Sequence, residues 1–456
     1  IDPLYDRQPE KINHNTLLEL MIDLYEAGDY AQGIALAKKW VEQQNVSRQE
    51  DIYPLVYYYI AYGYQNLHRK ENTKQTNHYM TAYVTLGENA VADGCFPHRT
   101  EDYIVLKSLA DDYYLDMVYY YLGCLLYDRR AYGEAIADYE EAALRYPDFP
   151  TVHRNLALAY YNVKKLPQRA YEEMEKAFAL DETDARVYLE LDQLKKRLNV
   201  PVKERWSDME KHFDLVESRD DLYLEYVTLL NTLGENAKAL DLIMVRKFHQ
   251  WEGGEGKVAA QYLTALYQLA KAAAAEGEYV EAKTILLQAV DEYPQNLGEG
   301  KLESAQENNL HYLLGLVREK LGETEEAFAS LTKACHGESE PVGMMYYNDQ
   351  PPEMIYYQGL AYRKLGNEEQ AVRRFRKLVE YGREHIEENV KIDYFAVSLP
   401  DLLIFEENLD ERNRKHCLFM MSLGLKGLGR SDEAEKCAEE LLAMDNAHQG
   451  IRVHDL

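Results

Sequence analysis

The chain has 456 residues, of which only 13 are proline, and its 79 Asp and Glu against 51 Lys and Arg give a formal net charge of −28. Such an acidic balance repels nucleic-acid phosphates and anionic membrane surfaces, and no segment approaches the roughly 18 apolar residues of a membrane span. We therefore expect no nucleic acid and no membrane as partners. Alternating β-branched runs are scarce, which predicts an all-α protein.

The cysteines and the start of the chain bear on chemistry and location. Five cysteines lie far apart, without a CxxC motif or a Cys/His cluster. We therefore expect no metal, no cofactor and no disulfide framework.

The chain begins with Ile1 and lacks the pattern of a signal peptide, which favours a cytoplasmic location and suggests a fragment whose native start is missing.

The helical pattern is weakest at the start of the chain. Tyr57, Ala61 and Tyr64 recur at helical spacing, but small residues at fixed intervals become regular only later. We predict one continuous array with three sections: divergent helical repeats over 1–100, more regular repeats over 101–220, and repeats with irregular insertions over 221–456.

One spacing recurs in four copies, which start near Leu122, Leu269, Leu314 and Gln358. Small residues follow each start at fixed intervals, where only Gly or Ala lets two crossing helices approach closely. Gly residues then end the first helix, and Pro residues stop the second in the first two copies. The predicted crossing positions are Gly123, Ala135, Ala142, Ala270, Ala282, Gly315, Ala327, Gly359 and Ala371.

This spacing resembles the tetratricopeptide repeat, in which each helix-turn-helix unit buries its apolar faces by stacking on the next. The resemblance implies an all-α, right-handed superhelix of antiparallel helix pairs with a concave groove. We expect a non-catalytic scaffold that mediates protein–protein or interdomain interaction through this groove. The acidic balance favours a protein or peptide partner that carries Lys or Arg.

A narrower resemblance comes from three interruptions of the repeat, at 248–258, 346–366 and 391–417. They resemble stretches of long bacterial proteins that combine an N-terminal, carbohydrate-related domain of unknown function with C-terminal repeats of this type. The resemblance implies that the chain is the C-terminal part of such a protein. Its own N-terminal domain and an oligosaccharide are then further partners to consider.

The first interruption, HQWEGGEGKV, places three glycines and a lysine within ten residues. A phosphate loop would need Gly where Trp251 stands and a hydroxyl where Val258 stands, so a nucleotide site is not expected. Two interpretations remain. The glycines turn the chain while the Trp251 ring fills a gap, or His249, Trp251 and Glu252 face a ligand such as a sugar.

The other two interruptions supply further polar candidates. Pro351 holds the preceding residues extended, which presents a polar group beside two aromatic rings, although helix capping by Asp349 or Asn348 is the simpler alternative. The candidate ligand-binding residues here are Tyr346, Tyr347, Asp349 and Gln350, and the third interruption adds Asp393.

Enzymatic activity has little support in the sequence. Motifs such as HExxH and GxSxG are missing, so we name no catalytic residue. A glycosidase carboxylate pair would have to come from Glu252, Glu255, Asp349, Glu353 and Asp393. The alternative function is therefore a carbohydrate-binding or carbohydrate-processing accessory region that completes a site with a missing N-terminal domain.

Overall fold

The computed structural model describes residues 12–44, 49–71, 74–92, 94–112, 115–251, 253–301, 305–343, 349–391 and 404–456. Over these residues every regular element is a helix and none is a strand, so the predicted all-α fold is confirmed. The chain divides into two compact units, unit 1 over residues 1–181 and unit 2 over residues 182–456. The three sections drawn from the repeat spacing stay a prediction.

The described part of unit 1 contains nine α-helices. They are α1 (His14–Glu26), α2 (Tyr30–Gln43), α3 (Pro54–Glu71), α4 (Lys74–Asn89), α5 (Thr100–Asp112), α6 (Met117–Asp128), α7 (Tyr132–Arg145), α8 (Pro150–Asn162) and α9 (Pro167–Leu180), with a short 3₁₀ turn at Gln49–Asp51.

Unit 2 contains fourteen α-helices among its described residues. They are α10 (Ala185–Arg197), α11 (Val202–Lys211), α12 (Phe213–Ser218), α13 (Asp220–Leu233), α14 (Asn236–Val245), α15 (Lys257–Glu276), α16 (Tyr279–Asp291), α17 (Asn308–Lys320), α18 (Thr324–Ala334), α19 (Pro352–Lys364), α20 (Glu368–His385), α21 (Leu409–Gly427), α22 (Ser431–Met444) and α23 (Gln449–Val453), with a 3₁₀ turn at Gln295–Leu297.

Small residues lie where the two helices of a pair approach each other. A Cβ atom added to Gly123 in α6 would lie 2.5 Å from the ring of Tyr139 in α7. At Gly359 in α19 it would lie 2.4 Å from the Phe375 ring of α20, and at Gly315 in α17 it would lie 2.6 Å from a leucine of α18. Contacts this short leave no room for a side chain, so each of these pairs depends on glycine at its crossing point.

The predicted alanine positions are also interior. Ala135, Ala270, Ala282 and Ala371 have no exposed surface, Ala142 is 2% exposed and Ala327 is 4% exposed. Glycine is also needed at a helix end. Gly277 ends α15 with φ of 85°, a left-handed conformation that residues with a Cβ rarely adopt.

A buried ion cluster joins the first helices of unit 2. The Arg205 guanidinium of α11 donates to both carboxylate oxygens of Asp192 in α10, at 3.0 and 2.7 Å, and to Glu225 in α13 at 2.7 Å. Arg205 is 1% exposed and Asp192 is 3% exposed. Because a buried charge without its partner is costly, the cluster fixes α13 against α10 and α11.

The described residues contain neither a membrane-spanning helix nor a cluster of metal-binding side chains. Among the described helices, none combines the length and apolar character needed to span a bilayer. No group of three or more His, Cys, Asp or Glu in this part of the chain is arranged to hold a metal ion.

Candidate functional site

The candidate site is a surface of unit 2 that four helices share. Helices α13, α15, α19 and α21 are each the first member of a consecutive pair, and side chains or carbonyl groups of all four contact residues 446–456. We call this surface the first-helix face and residues 446–456 the 446–456 segment. Helices that are far apart in sequence therefore line one surface, and a short piece of chain occupies it.

The segment enters through a hydrogen-bonded anchor that follows α22. The Asn446 backbone N–H donates to the Asn199 side-chain oxygen at 2.7 Å, and the Asn446 amide donates to the Asn199 carbonyl at 2.6 Å. In return, the Asn199 amide donates to the carbonyl of Ala443 at 3.0 Å. Asn199 has φ of 57°, a left-handed conformation that asparagine tolerates better than most residues. The turn after α10 thus holds the end of α22.

Beyond the anchor, the segment follows α15 and α21 closely. The side-chain amides of Gln449 and Gln261 lie 3.1 Å apart, from nitrogen to oxygen. Arg452 donates to the carbonyl of Thr232 in α13 at 3.3 Å. Gly450 lies so close to the Phe419 ring of α21 that an added Cβ would be 2.6 Å from it. Glycine is therefore required for this approach.

Three side chains of the segment are buried in the face: Ile451 at 3% exposure, Val453 at 8% and His454 at 7%. His454 ends a chain of hydrogen bonds, because its Nδ1 lies 2.9 Å from the Tyr357 hydroxyl, which lies 2.7 Å from the Tyr267 hydroxyl. Burial, aided by the charge of Lys271, lowers the pKa of His454 to about 3. Neutral His454 can then accept a hydrogen bond from the Tyr357 hydroxyl, which keeps its proton because burial raises the pKa of Tyr357.

Two lysines of the face hold the backbone and the acidic side chain of the segment. The Lys271 ammonium of α15 donates to the Val453 carbonyl at 2.9 Å and to the Asp455 carboxylate at 2.7 Å. The Lys426 ammonium of α21 donates to the carbonyls of His454, at 3.3 Å, and of Asp455. The face therefore binds a peptide backbone and a carboxylate together.

Glu353 adds a titratable group in the same region. It lies in the first turn of α19, one helical turn before Tyr357, and its charge contributes to the raised pKa of that tyrosine. Burial raises the pKa of Glu353 itself to about 7. Its carboxyl group thus changes charge near neutral pH.

The glycine-rich stretch at 248–258 connects α14 to α15. The Phe248 ring is buried, the Phe248 backbone N–H donates to the Asn296 carbonyl at 2.8 Å, and His249 is exposed. Asp220 accepts from the His249 backbone N–H at 2.9 Å and lies 3.1 Å from the His249 ring, while Arg246 donates to the same carboxylate. A carboxylate at the start of α13 therefore holds this part of the connection.

The rest of the connection forms the start of α15. The Trp251 ring lies over Gly254, where an added Cβ would be 2.3 Å from it, and Glu252 lies outside the described residues. Glu299 accepts from the backbone N–H groups of Gly256, at 2.7 Å, and Ala259, at 3.2 Å. These donors are the ones that a phosphate would need, and a carboxylate of the chain already binds them.

The second interruption is described only in part. Tyr346, Tyr347 and Asn348 lie outside the described residues, as does Asp393 of the third interruption. Asp349 and Gln350 precede α19 and are half-buried, and the Asp349 charge acts on Tyr381 and His416. Both polar atoms of the Gln350 amide are buried, with no hydrogen bond in the part of the chain that the structure describes. Among the predicted ligand-binding residues, the structure therefore describes His249 and Trp251 in the connection before α15, and Asp349 and Gln350 before α19.

The residues of the first-helix face were not singled out from the sequence. Lys271, Lys426, Tyr267 and Tyr357 lie inside ordinary repeats, where a lysine or tyrosine carries no special pattern. The sequence does carry a usable signal for this site in the 446–456 segment. Ile451 and Val453 are apolar residues outside the four copies of the repeat spacing, and apolar residues outside a repeat need another surface to cover them.

Comparison with known families identifies repeats in both units. Three family models, each described as tetratricopeptide repeat, match residues 120–185, 309–335, and 264–296 together with 353–381. The chain therefore contains tetratricopeptide repeats, as the spacing of small residues predicted.

The solved structures that match this chain have low sequence identity to it. A structure of Naa15/Naa10 bound to HypK-THB matches with 12% identity and a TM-score of 0.33, over 97% of this chain and 60% of that one. The chain thus spans 60% of the length of that structure's matched chain. The P58(IPK) TPR domain matches with 13% identity and a TM-score of 0.24, over 77% of this chain and 98% of that one.

A tetratricopeptide repeat protein from Parabacteroides merdae ATCC 43184 matches with 15% identity and a TM-score of 0.24, over 76% of this chain and 98% of that one. With scores this low, the assignment of repeats rests on the family models.

Proposed function

Because the chain contains tetratricopeptide repeats, a class that typically forms protein-interaction scaffolds, we propose that it is a non-catalytic scaffold. Unit 2 binds a peptide segment of a partner protein on the first-helix face. The observation that carries this proposal is the 446–456 segment, which already lies on that face as a bound peptide would.

The chemistry of the face suits a peptide. Lys271 and Lys426 donate to successive carbonyl groups, and the buried tyrosine pair offers a hydroxyl to a polar side chain. Such contacts recognise a backbone and an acidic side chain together. A partner segment can come from another protein or from an N-terminal domain of the same protein.

The carbohydrate alternative requires that the three interruptions form one pocket. Trp251 lies over Gly254 and therefore offers less of its ring to a sugar, while Asp393 lies outside the described residues. No contact described above favours this alternative over the scaffold.

The test is a selection of displayed random peptides of about 12 residues on the full chain and on its Gly450→Val variant, in which the 446–456 segment is disturbed. We expect enriched peptides whose binding to either protein is lost when Lys271→Glu and Lys426→Glu are combined. Exposed Lys203→Glu is the matched charge control and should leave binding unchanged.

Two outcomes contradict the scaffold proposal. Either no peptide is enriched on either protein, or the enriched peptides bind the lysine double variant as well as the parent. A glycan array on the same proteins tests the alternative, which gains only if a glycan binds and Trp251→Ala removes that binding from a folded protein.

A further inference from the structure

The 446–456 segment has the features of a ligand. We propose that it is an internal ligand of the first-helix face, and that a partner peptide displaces it by presenting the same pattern of two apolar residues and one acidic residue at alternate positions. This inference rests on the proposed function and specifies the partner's chemistry. In the chain itself the pattern is Ile451, Val453 and Asp455.

The alternation follows from how the face contacts the segment. Ile451 and Val453 are buried, whereas Arg452 and Asp455 are exposed. The Asp455 carboxylate nonetheless reaches the Lys271 ammonium at 2.7 Å. A competing peptide must therefore place apolar side chains where Ile451 and Val453 are buried, and its carboxylate beside Lys271.

The positive charge of the face sets the class of partner. Although the whole chain is strongly acidic, the charged groups of α15 and α21 that donate hydrogen bonds to the 446–456 segment are the ammonium groups of Lys271 and Lys426. A peptide rich in Lys or Arg would repel them. At this face the partner segment must be acidic, contrary to the basic partner that the total charge of the chain favours.

Beyond its anchor at Asn446, the segment is small enough to leave without dismantling the fold. It contributes one helical stretch of five residues, α23, and its buried part is two aliphatic side chains and one imidazole. The helix pairs bury their crossing points between their own members, as at Gly359 against Phe375. Loss of the segment therefore exposes the face but leaves the pairs packed.

The short connection makes the segment an effective competitor. Only the residues from Asp445 to His448 separate α22 from α23. A ligand joined by a connection this short has an effective concentration in the millimolar range. A partner peptide in solution must therefore bind at least tenfold more weakly to the wild-type chain than to a chain whose segment has been released.

The experiment uses the fluorescently labelled synthetic peptide NAHQGIRVHDL, residues 446–456, and the full chain. Gly450→Val releases the segment, because any Cβ at this position meets the Phe419 ring. Gly300→Val is the matched control, since a Cβ at Gly300 meets no atom within 4 Å. Circular dichroism and thermal melting establish that each variant is folded.

We expect the Gly450→Val chain to bind the peptide at least tenfold more tightly than the wild-type chain, by fluorescence anisotropy. The Gly300→Val chain should match the wild type. Adding Lys271→Glu and Lys426→Glu to the Gly450→Val chain should abolish binding.

If the Gly450→Val chain is folded and binds the peptide no more tightly than the wild type, the proposal that the 446–456 segment is an internal ligand is overturned. If lysine-dependent peptides from the library still bind, the scaffold proposal survives this result; if they do not, both proposals fail.

Should Gly450→Val prevent folding, hydrogen exchange on the wild-type chain replaces it. The amides of His454 and Leu456 are hydrogen-bonded to Gly450 and Ile451. Excess unlabelled peptide should speed their exchange several-fold, and unchanged exchange at saturating peptide would overturn the internal ligand.

Discussion

The connection at 248–258 and the 446–456 segment both lie in unit 2 and both hold irregular chain against helices, yet they are held in opposite ways. In the connection, carboxylates of Asp220 and Glu299 bind backbone N–H groups. In the 446–456 segment, ammonium groups of Lys271 and Lys426 bind backbone carbonyls. The first arrangement caps and orients a helix, whereas the second is how a surface binds a peptide from outside.

This difference shows why an unusual local composition is a poor indicator of a binding surface in this chain. Three glycines beside a tryptophan drew attention to the connection, but Glu299 satisfies its donors and Gly254 receives its tryptophan ring. The 446–456 segment has an ordinary composition, yet it meets four helices. Contact with several non-consecutive helices is the better sign of a binding surface.

The largest expected effect tests whether the connection is structural. Phe248→Ala removes a ring that is 2% exposed and should lower the free energy of unfolding by about 3–5 kcal/mol. Phe328, which is 63% exposed, supplies the control, since Phe328→Ala should cost less than about 0.5 kcal/mol. Urea unfolding curves measure both. Equal small losses would mean that the Phe248 ring does not hold the connection.

The second prediction concerns the pH dependence of the 446–456 segment. His454 has a pKa of about 3 in the bound segment, well below its ordinary value of 6.5. Between these two pH values, the His454 imidazole is therefore protonated in the released segment and neutral in the bound one. Docking of the 446–456 segment should therefore weaken by about 1.4 kcal/mol, or tenfold, for each pH unit below about 6.5. Above that pH the contribution of His454 to docking should be fully present and constant. Hydrogen exchange of the His454 and Leu456 amides, corrected for intrinsic rates, measures it.

Other charged groups face the same segment, so the variant His454→Phe is needed as a reference. Glu353, whose pKa is raised to about 7, stabilises the folded unit as pH falls and thus opposes the histidine effect. Lys271, Lys426 and Asp455 are present in both proteins. We therefore compare the docking free energy of the segment in the wild type with that in His454→Phe. The advantage of the wild type should become smaller as the pH is lowered, and an advantage that does not change with pH contradicts the prediction.

A smaller effect is expected at the start of α15. Glu299→Gln keeps the shape of the side chain but removes the charge that caps Gly256 and Ala259, and it should cost about 1 kcal/mol of unfolding free energy. Thermal unfolding at low salt measures the loss. The neighbouring exposed Glu255→Gln is the control; a loss of equal size there would assign the effect to net charge instead of capping.

The smallest effect is expected at His249. Asp220 binds its backbone N–H, and the side chain is exposed, so His249→Ala should change the unfolding free energy by less than about 0.5 kcal/mol. Peptide binding by the Gly450→Val chain should also be unchanged. A loss of glycan binding without loss of stability would instead assign His249 to a ligand site.

The sequence predicted the fold well because its signals are local. Gly123, Gly315 and Gly359 recur at fixed positions, since close helix crossings require small residues wherever they occur. The binding face depends on the third dimension. Nothing in the sequence places Lys271 beside Asp455, which lies 184 residues away, because that proximity depends on how successive pairs stack.

The anchor between Asn199 and Asn446 has a consequence for how unit 2 unfolds. In an open array each repeat touches only its neighbours, so the outermost repeats fray first and stability is a sum of local terms. Here hydrogen bonds join positions 247 residues apart and tie the first helices of the unit to its last. While this anchor holds, neither α10 nor α22 can separate from the unit alone, so melting of the helix pairs should be concerted, with one sharp transition instead of progressive loss from the ends.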